Sequence, residues 1–137
     1  MIVNDLYELT IVGVYDRGVP NQERIVIRAN QSVNLGQYGV MLGIRAAGNS
    51  AFPIRDNLLW FGDALINTGD WIFIYTGIGE AKVTTLPNSQ ERLYSIHWGR
   101  DKTILHHPDL VPILFRVDAV QVPYELPALP QKPKMKV

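Results

Sequence analysis

Between residues 6 and 122 the chain is a succession of short apolar or alternating runs, each cut off by Gly, Pro, Asn or Asp. No window of about 11 residues keeps a 3.6-residue apolar period with caps, so helices are not expected. Runs arriving every ~8–12 residues with turn residues between them are the pattern of a β-sandwich or barrel. This rhythm limits the fold more than any other feature. It predicts one small, soluble, all-β domain of the sandwich type with about seven to nine strands.

Individual runs carry strand chemistry. Leu6 to Tyr15 is β-branched and aromatic, with a bulge expected at Gly13. Glu23 to Ala29 alternates, Ile25 and Ile27 facing one way and Arg24, Val26 and Arg28 the other. Tyr38 to Ile44 reads as a strand, and Arg45 to Pro53 as a loop. Asn57 to Phe61 is a short apolar run. Trp71 to Tyr75 (WIFIY) is the most strand-like stretch; it is apolar at every position and is expected at the centre of a sheet. Ala81 to Gln90 reads as an exposed loop with some strand character, Arg92 to Trp98 alternates, and Leu110 to Val122 reads as one last long strand. Pro112 lies near its start, where a missing ladder donor is tolerated.

Composition narrows the function classes. The 137 residues suit one domain. There are 13 Lys plus Arg and 13 Asp plus Glu, so no global basic excess points to nucleic acid. Absence of Cys removes disulfides, thiolate nucleophiles and Cys-ligated metals. The first residues show no basic then apolar leader, and no run of ~18 apolar residues exists. The cytoplasm, or a phage particle made there, is the expected setting.

Residues 1–122 are read as the sandwich and 123–137 as a Pro- and Lys-rich tail. Four prolines prevent sheet or helix in that tail and favour an extended chain. It reads as a solvated end, yet Tyr124, Leu126 and Leu129 are the apolar anchors that a partner-docking arm uses.

Asn34-Leu35-Gly36, Phe52-Pro53, Asp63-x-Leu65 and the turn Asn67-Thr68-Gly69-Asp70 follow one another in the middle of the chain. That turn feeds Trp71–Tyr75 and then Thr76-Gly77; Leu93-Tyr94 and His97-Trp98-Gly99 come later. This order resembles the lamin-tail domain over the central two-thirds of the chain. In that family a turn before a Phe-Pro pair is followed by a strand ending in Thr-Gly and by a later Trp-Gly. Gln37-Tyr38 stands where the family usually has Trp, and of its Asn-rich turn only Asp109 has a counterpart. The resemblance implies an immunoglobulin-like sandwich and a non-catalytic interaction module, binding proteins, nucleic acid or membranes. No cofactor is implied.

Chemistry-bearing residues are few. His106, His107 and Asp109 could offer a metal two imidazoles and a carboxylate, but adjacent strand residues face opposite ways and an ordinary loop is expected. Asp63, Asp70 and Asp101 sit beside Gly in turn contexts. Thr76-Gly77-Ile78-Gly79-Glu80 lacks the Lys-Ser/Thr of a phosphate loop. Arg92, Arg100 and Lys102 lie near Tyr94 and Trp98, the basic and aromatic mixture of single-strand binders. The leading expectation is a protein-binding or self-associating module; a nucleic-acid accessory role through those three cations is the alternative.

Overall fold

The computed structural model describes residues 5–125. It is an all-β sandwich. Ten strands are present among the described residues: β1 Leu9–Tyr15, β2 Arg24–Ala29, β3 Val33–Asn34, β4 Tyr38–Arg45, β5 Ala51–Trp60, β6 Leu65–Ile66, β7 Trp71–Tyr75, β8 Lys82–Thr85, β9 Arg92–His97 and β10 Leu110–Arg116. One sheet has the order β1-β2-β7-β9-β8, a second the order β10-β4-β5, and β3 pairs with β6.

Ile25 and Ile27 of β2, Ile72 and Ile74 of β7 and Tyr94 of β9 face inward from the larger sheet. They meet Tyr38, Val40 and Leu42 of β4, while Ile66 of β6 and Leu35, Phe61, Ile104 and Leu105 of connecting segments close the core. The period-two reading of β2 holds: Ile25 and Ile27 are fully buried in the core, and Arg24 and Arg28 lie on the outer face. The bulge in β1 falls between Ile11 and Gly13.

Two local expectations differ from the structure. The expected loop over Arg45–Pro53 is shorter, because β5 already begins at Ala51 and pairs Ile44 with Phe52 and Gly43 with Pro53. Its register jumps between Met41 and Gly43, and Asp56 takes a positive φ of 63° inside the displaced residues. β5 is an edge strand, so Pro53 withdraws no ladder bond from a neighbour. The last strand stops at Arg116 instead of continuing to Val122: Val117 N still donates to Gln37 O, but beyond it residues 118–125 pair with no strand among the described residues.

The topology holds a feature on which the side-chain pattern is silent. β7 lies at the centre of the five-stranded sheet as expected, but it is parallel to β9. The chain leaves β7, skips one strand position to form β8, and returns antiparallel as β9 into the gap.

Candidate functional site

Two regions stand out on the surface: a polar cleft at one end of the sandwich, and the outer face of the three-stranded sheet. The cleft begins with Glu23, one residue before β2. Its side chain is buried, with no cation among its hydrogen-bond partners. Instead the carboxylate accepts from Gly18 N (3.0 Å), Thr76 Oγ1 (2.7 Å), Ile104 N (2.9 Å) and Leu105 N (3.0 Å). A buried carboxylate is tolerable only with such complete satisfaction. Arg17 complements it by donating through one nitrogen to the carbonyls of Leu105, His107 and Leu110. The long segment between β9 and β10 is therefore bolted to the β1–β2 loop from two sides.

The bolted segment walls a cleft of about 460 Å³ lined by Asn21, Thr76, Arg100, Asp101, Lys102 and His106, among others. Arg100 and Lys102 form no ion pair among the described residues. The Thr76 hydroxyl proton is committed to Glu23, so toward the cleft that oxygen can only accept.

Arg92 is not part of this group. It opens β9, at the opposite end of the strand from Arg100. It pairs with Asp70 at 3.3 Å and lies over the Tyr94 ring at 5.2 Å. Asp70 is buried and ties the turn together by accepting from Asn67 N and Arg92 N, which is the turn role its Gly neighbour suggested. The structure thus brings Arg100 and Lys102 together and separates Arg92 from them. His106 turns into the cleft, while His107 Nδ1 accepts from the Asp109 amide at 3.1 Å. Among the described residues no three His, Cys, Asp or Glu side chains converge as a metal-binding group. No helix there is long and apolar enough to cross a membrane.

His97 lies on the outer face of the five-stranded sheet, stacked on Tyr75 with centroids 5.2 Å apart. Gly79 is required beneath it, because a Cβ there would run into the imidazole. The same face carries Trp71 and Phe73, and arginines cover them. Arg28 sits 4.3 Å over Trp71, and Arg24 lies 5.6 Å over Phe73 and 5.7 Å over Tyr15. This face screens its own aromatics by cation–π stacking.

Among the described residues the outer face of the three-stranded sheet has no such screen. Residues opposite one another across a ladder project to the same side. Phe115–Gly39–Trp60 and Ile113–Met41–Leu58 form two such rows. None of these side chains packs on the core, whereas Val40, Leu42, Leu59 and Leu114 of the same strands do. Gly39 and Gly43 make the face flat: a Cβ at either would collide with the Phe115 ring or with Ile113. Leu58 and Trp60 are 56% and 54% exposed. Trp60 is held in place by donating its indole N–H to Gly36 O at 2.7 Å. The sequence reading missed this surface. Its signal was the Gly39-x-x-x-Gly43 spacing in a strand otherwise made of large residues.

At one border of this sheet the Tyr38 hydroxyl and Arg116 both donate to Glu8 Oε2, at 2.7 and 2.9 Å. Tyr38, followed by Arg116, lowers the Glu8 carboxyl to about 2. Burial, then the Glu8 contact, raises the Tyr38 phenol to about 12. Arg116 also grips Asp118 at 2.7 Å, where the chain leaves the sheet. Of the tail anchors, Tyr124 is 93% exposed; Leu126 and Leu129 lie outside the described residues.

The chain matches no family model, and comparison with curated proteins and with solved structures yields no match.

Proposed function

We propose that this protein is a non-catalytic interaction module, a lamin-tail-like sandwich that serves as a subunit of a larger assembly and meets a protein partner through the outer face of its three-stranded sheet. One observation carries the reading. Exposed Leu58 and Trp60 and half-buried Met41, Ile113 and Phe115 form a flat apolar face that no element among the described residues covers, beside a sandwich face that does cover its own aromatics. Exposed contiguous apolar surface rimmed by polar residues marks an association site. Aromatic and Met side chains are the residue types enriched in such interfaces. A setting in the cytoplasm or in a phage particle belongs to this reading.

A photoreactive residue at position 58, compared with one at Thr84 on the distant strand β8, tests it in the native host. A protein adduct specific to position 58 is expected. Equal or no adducts at the two positions would overturn the assignment of this face.

A second reading has its own observation. Arg100 and Lys102 are unpaired among the described residues and line one cleft, so a nucleic-acid backbone is the natural ligand class for that end of the molecule. The double variant R100E/K102E should then abolish salt-dependent retention of single or double strands, and R92E should not. No binding by the unaltered protein at ~50 mM salt would end that reading.

A further inference from the structure

The segment after β10 is unlike any other connection in the molecule. Residues 118–125 have no secondary structure, and every one of them is exposed. Yet their apolar side chains recur with a period of two: Val120, Val122 and Tyr124 are 80%, 75% and 93% exposed. A period-two apolar stripe is strand chemistry, and here it has no strand to join. Entropy gives no reason to hold valines in water; a solvating linker would use polar residues.

The same molecule holds a complementary groove. Ile11 of β1 and Val111, Pro112 and Ile113 of β10 line an open seam of about 570 Å³, closed at one end by Arg45, Asn49, Ser50 and Ala51 around the β4–β5 turn. β10 is an edge strand. Val117 N donates to Gln37 O, which fixes the alternation of its ladder: odd residues bond toward β4, and Pro112, Leu114 and Arg116 turn their backbone outward. Pro112 therefore spends its missing donor on the free side, and Leu114 and Arg116 leave N–H and C=O groups there for another strand.

The arm does not turn back into its own seam. Val117 continues the ladder straight, and Asp118 is gripped by Arg116. Only Asp118-Ala119 would remain for a tight reversal. Two-residue hairpin turns need positive φ at one or both central positions, which Gly or Asn supplies and Ala resists.

We propose that residues 118–125 are an exchanged arm that adds as a strand to the free edge of β10 in a second copy of this chain. This rests on the interaction-module reading and adds a second contact surface, the β10 edge, with another copy of the chain as its occupant. The arm runs antiparallel to β10, and its six residues from 120 to 125 span ~20 Å, close to the length of β10. Val120, Val122 and Tyr124 present their backbone to the edge, so Pro123 points its missing donor away. Glu125 then falls beside Arg45, which has no ion pair among the described residues. Reciprocal exchange gives a closed two-fold dimer.

The test uses the full chain. Equal amounts of isotopically heavy and light protein are mixed, with a photoreactive residue at position 122. Cross-links from one isotope to residues 111–113 or Ile11 of the other are expected. Sedimentation should show a dimer whose dissociation constant rises at least roughly tenfold in V120D/V122D, with unchanged circular dichroism. Cross-links confined within one isotope, or a monomer at sub-millimolar concentration, would overturn the arm exchange. A dimer unaffected by V120D/V122D would also overturn it, while leaving the association reading through the Leu58 face intact; that reading fails separately if the position-58 adduct is missing.

Discussion

Replacing Glu23 with Ala should unlatch the segment between β9 and β10 and cost a large part of the stability of the domain. The carboxylate takes four hydrogen bonds at 2.7–3.0 Å, three of them from backbone amides of residues 18, 104 and 105. Two of those donors, Ile104 and Leu105, belong to core residues, so water reaches them poorly. An orphaned buried donor costs ~1–3 kcal/mol. Partial rehydration of the cavity and of Gly18 reduces the sum, which leaves an expected loss of about 3–5 kcal/mol. For a domain of this size that is a fall in Tm of roughly 10–20 °C. Glu23→Gln keeps one acceptor oxygen but aims an NH2 group at two donors, so about 2–3 kcal/mol should go. Guanidinium unfolding measures both variants. Hydrogen exchange should show the amides of Ile104 and Leu105 losing protection before those of Ile25 and Ile72. An E23A variant within about 1 kcal/mol of the parent would refute the reasoning, because it would mean that the four bonds stabilise no more than water does.

Three further outcomes follow from the same geometry. Because the Glu8 carboxyl is lowered from 4.5 to about 2, its contribution is complete above pH ~4.5 and is lost as pH falls toward 2; acid titration of E8Q should lack that segment of the curve. Gly39→Val should push the Phe115 ring off the sheet and cost ~1–3 kcal/mol, read as a lower urea midpoint at constant m-value. Arg17→Ala removes a donor to three carbonyls and should destabilise by about 1–3 kcal/mol, with the effect less than additive to that of E23A in a double-mutant cycle because both hold one segment.

Legibility differed between elements for physical reasons. β2 was readable because polar Arg24 and Arg28 mark its outer face and Ile25 and Ile27 its core face, so alternation alone assigned the isoleucines inward; that Val26 is buried at 5% exposure on the outer face was not legible. β7 gave its position at the centre of a sheet but not the fate of its outer aromatics. Trp71 and Phe73 need no second layer, because the register of β2 sets Arg28 opposite Trp71 and Arg24 diagonal to Phe73, where they cover the two rings. Among candidate site residues, the pairing of Arg100 with Lys102 followed from sequence proximity, and the loss of Arg92 to Asp70 did not: the two are 22 residues apart and meet only through the turn before β7.

The sequence by itself determined that the chain is built of strands, where most of them begin, and which residues of β2 face inward. Those properties depend on side-chain period and turn chemistry, which are local. Only the tertiary structure decided the parallel insertion of β9 beside β7, the burial of Glu23 under the cleft, and the end of the last strand at Arg116. Each depends on which strand lies alongside which. Residues 118–122 continue the composition of a strand and pair with none among the described residues, because a strand exists only where a neighbour takes up its backbone hydrogen bonds.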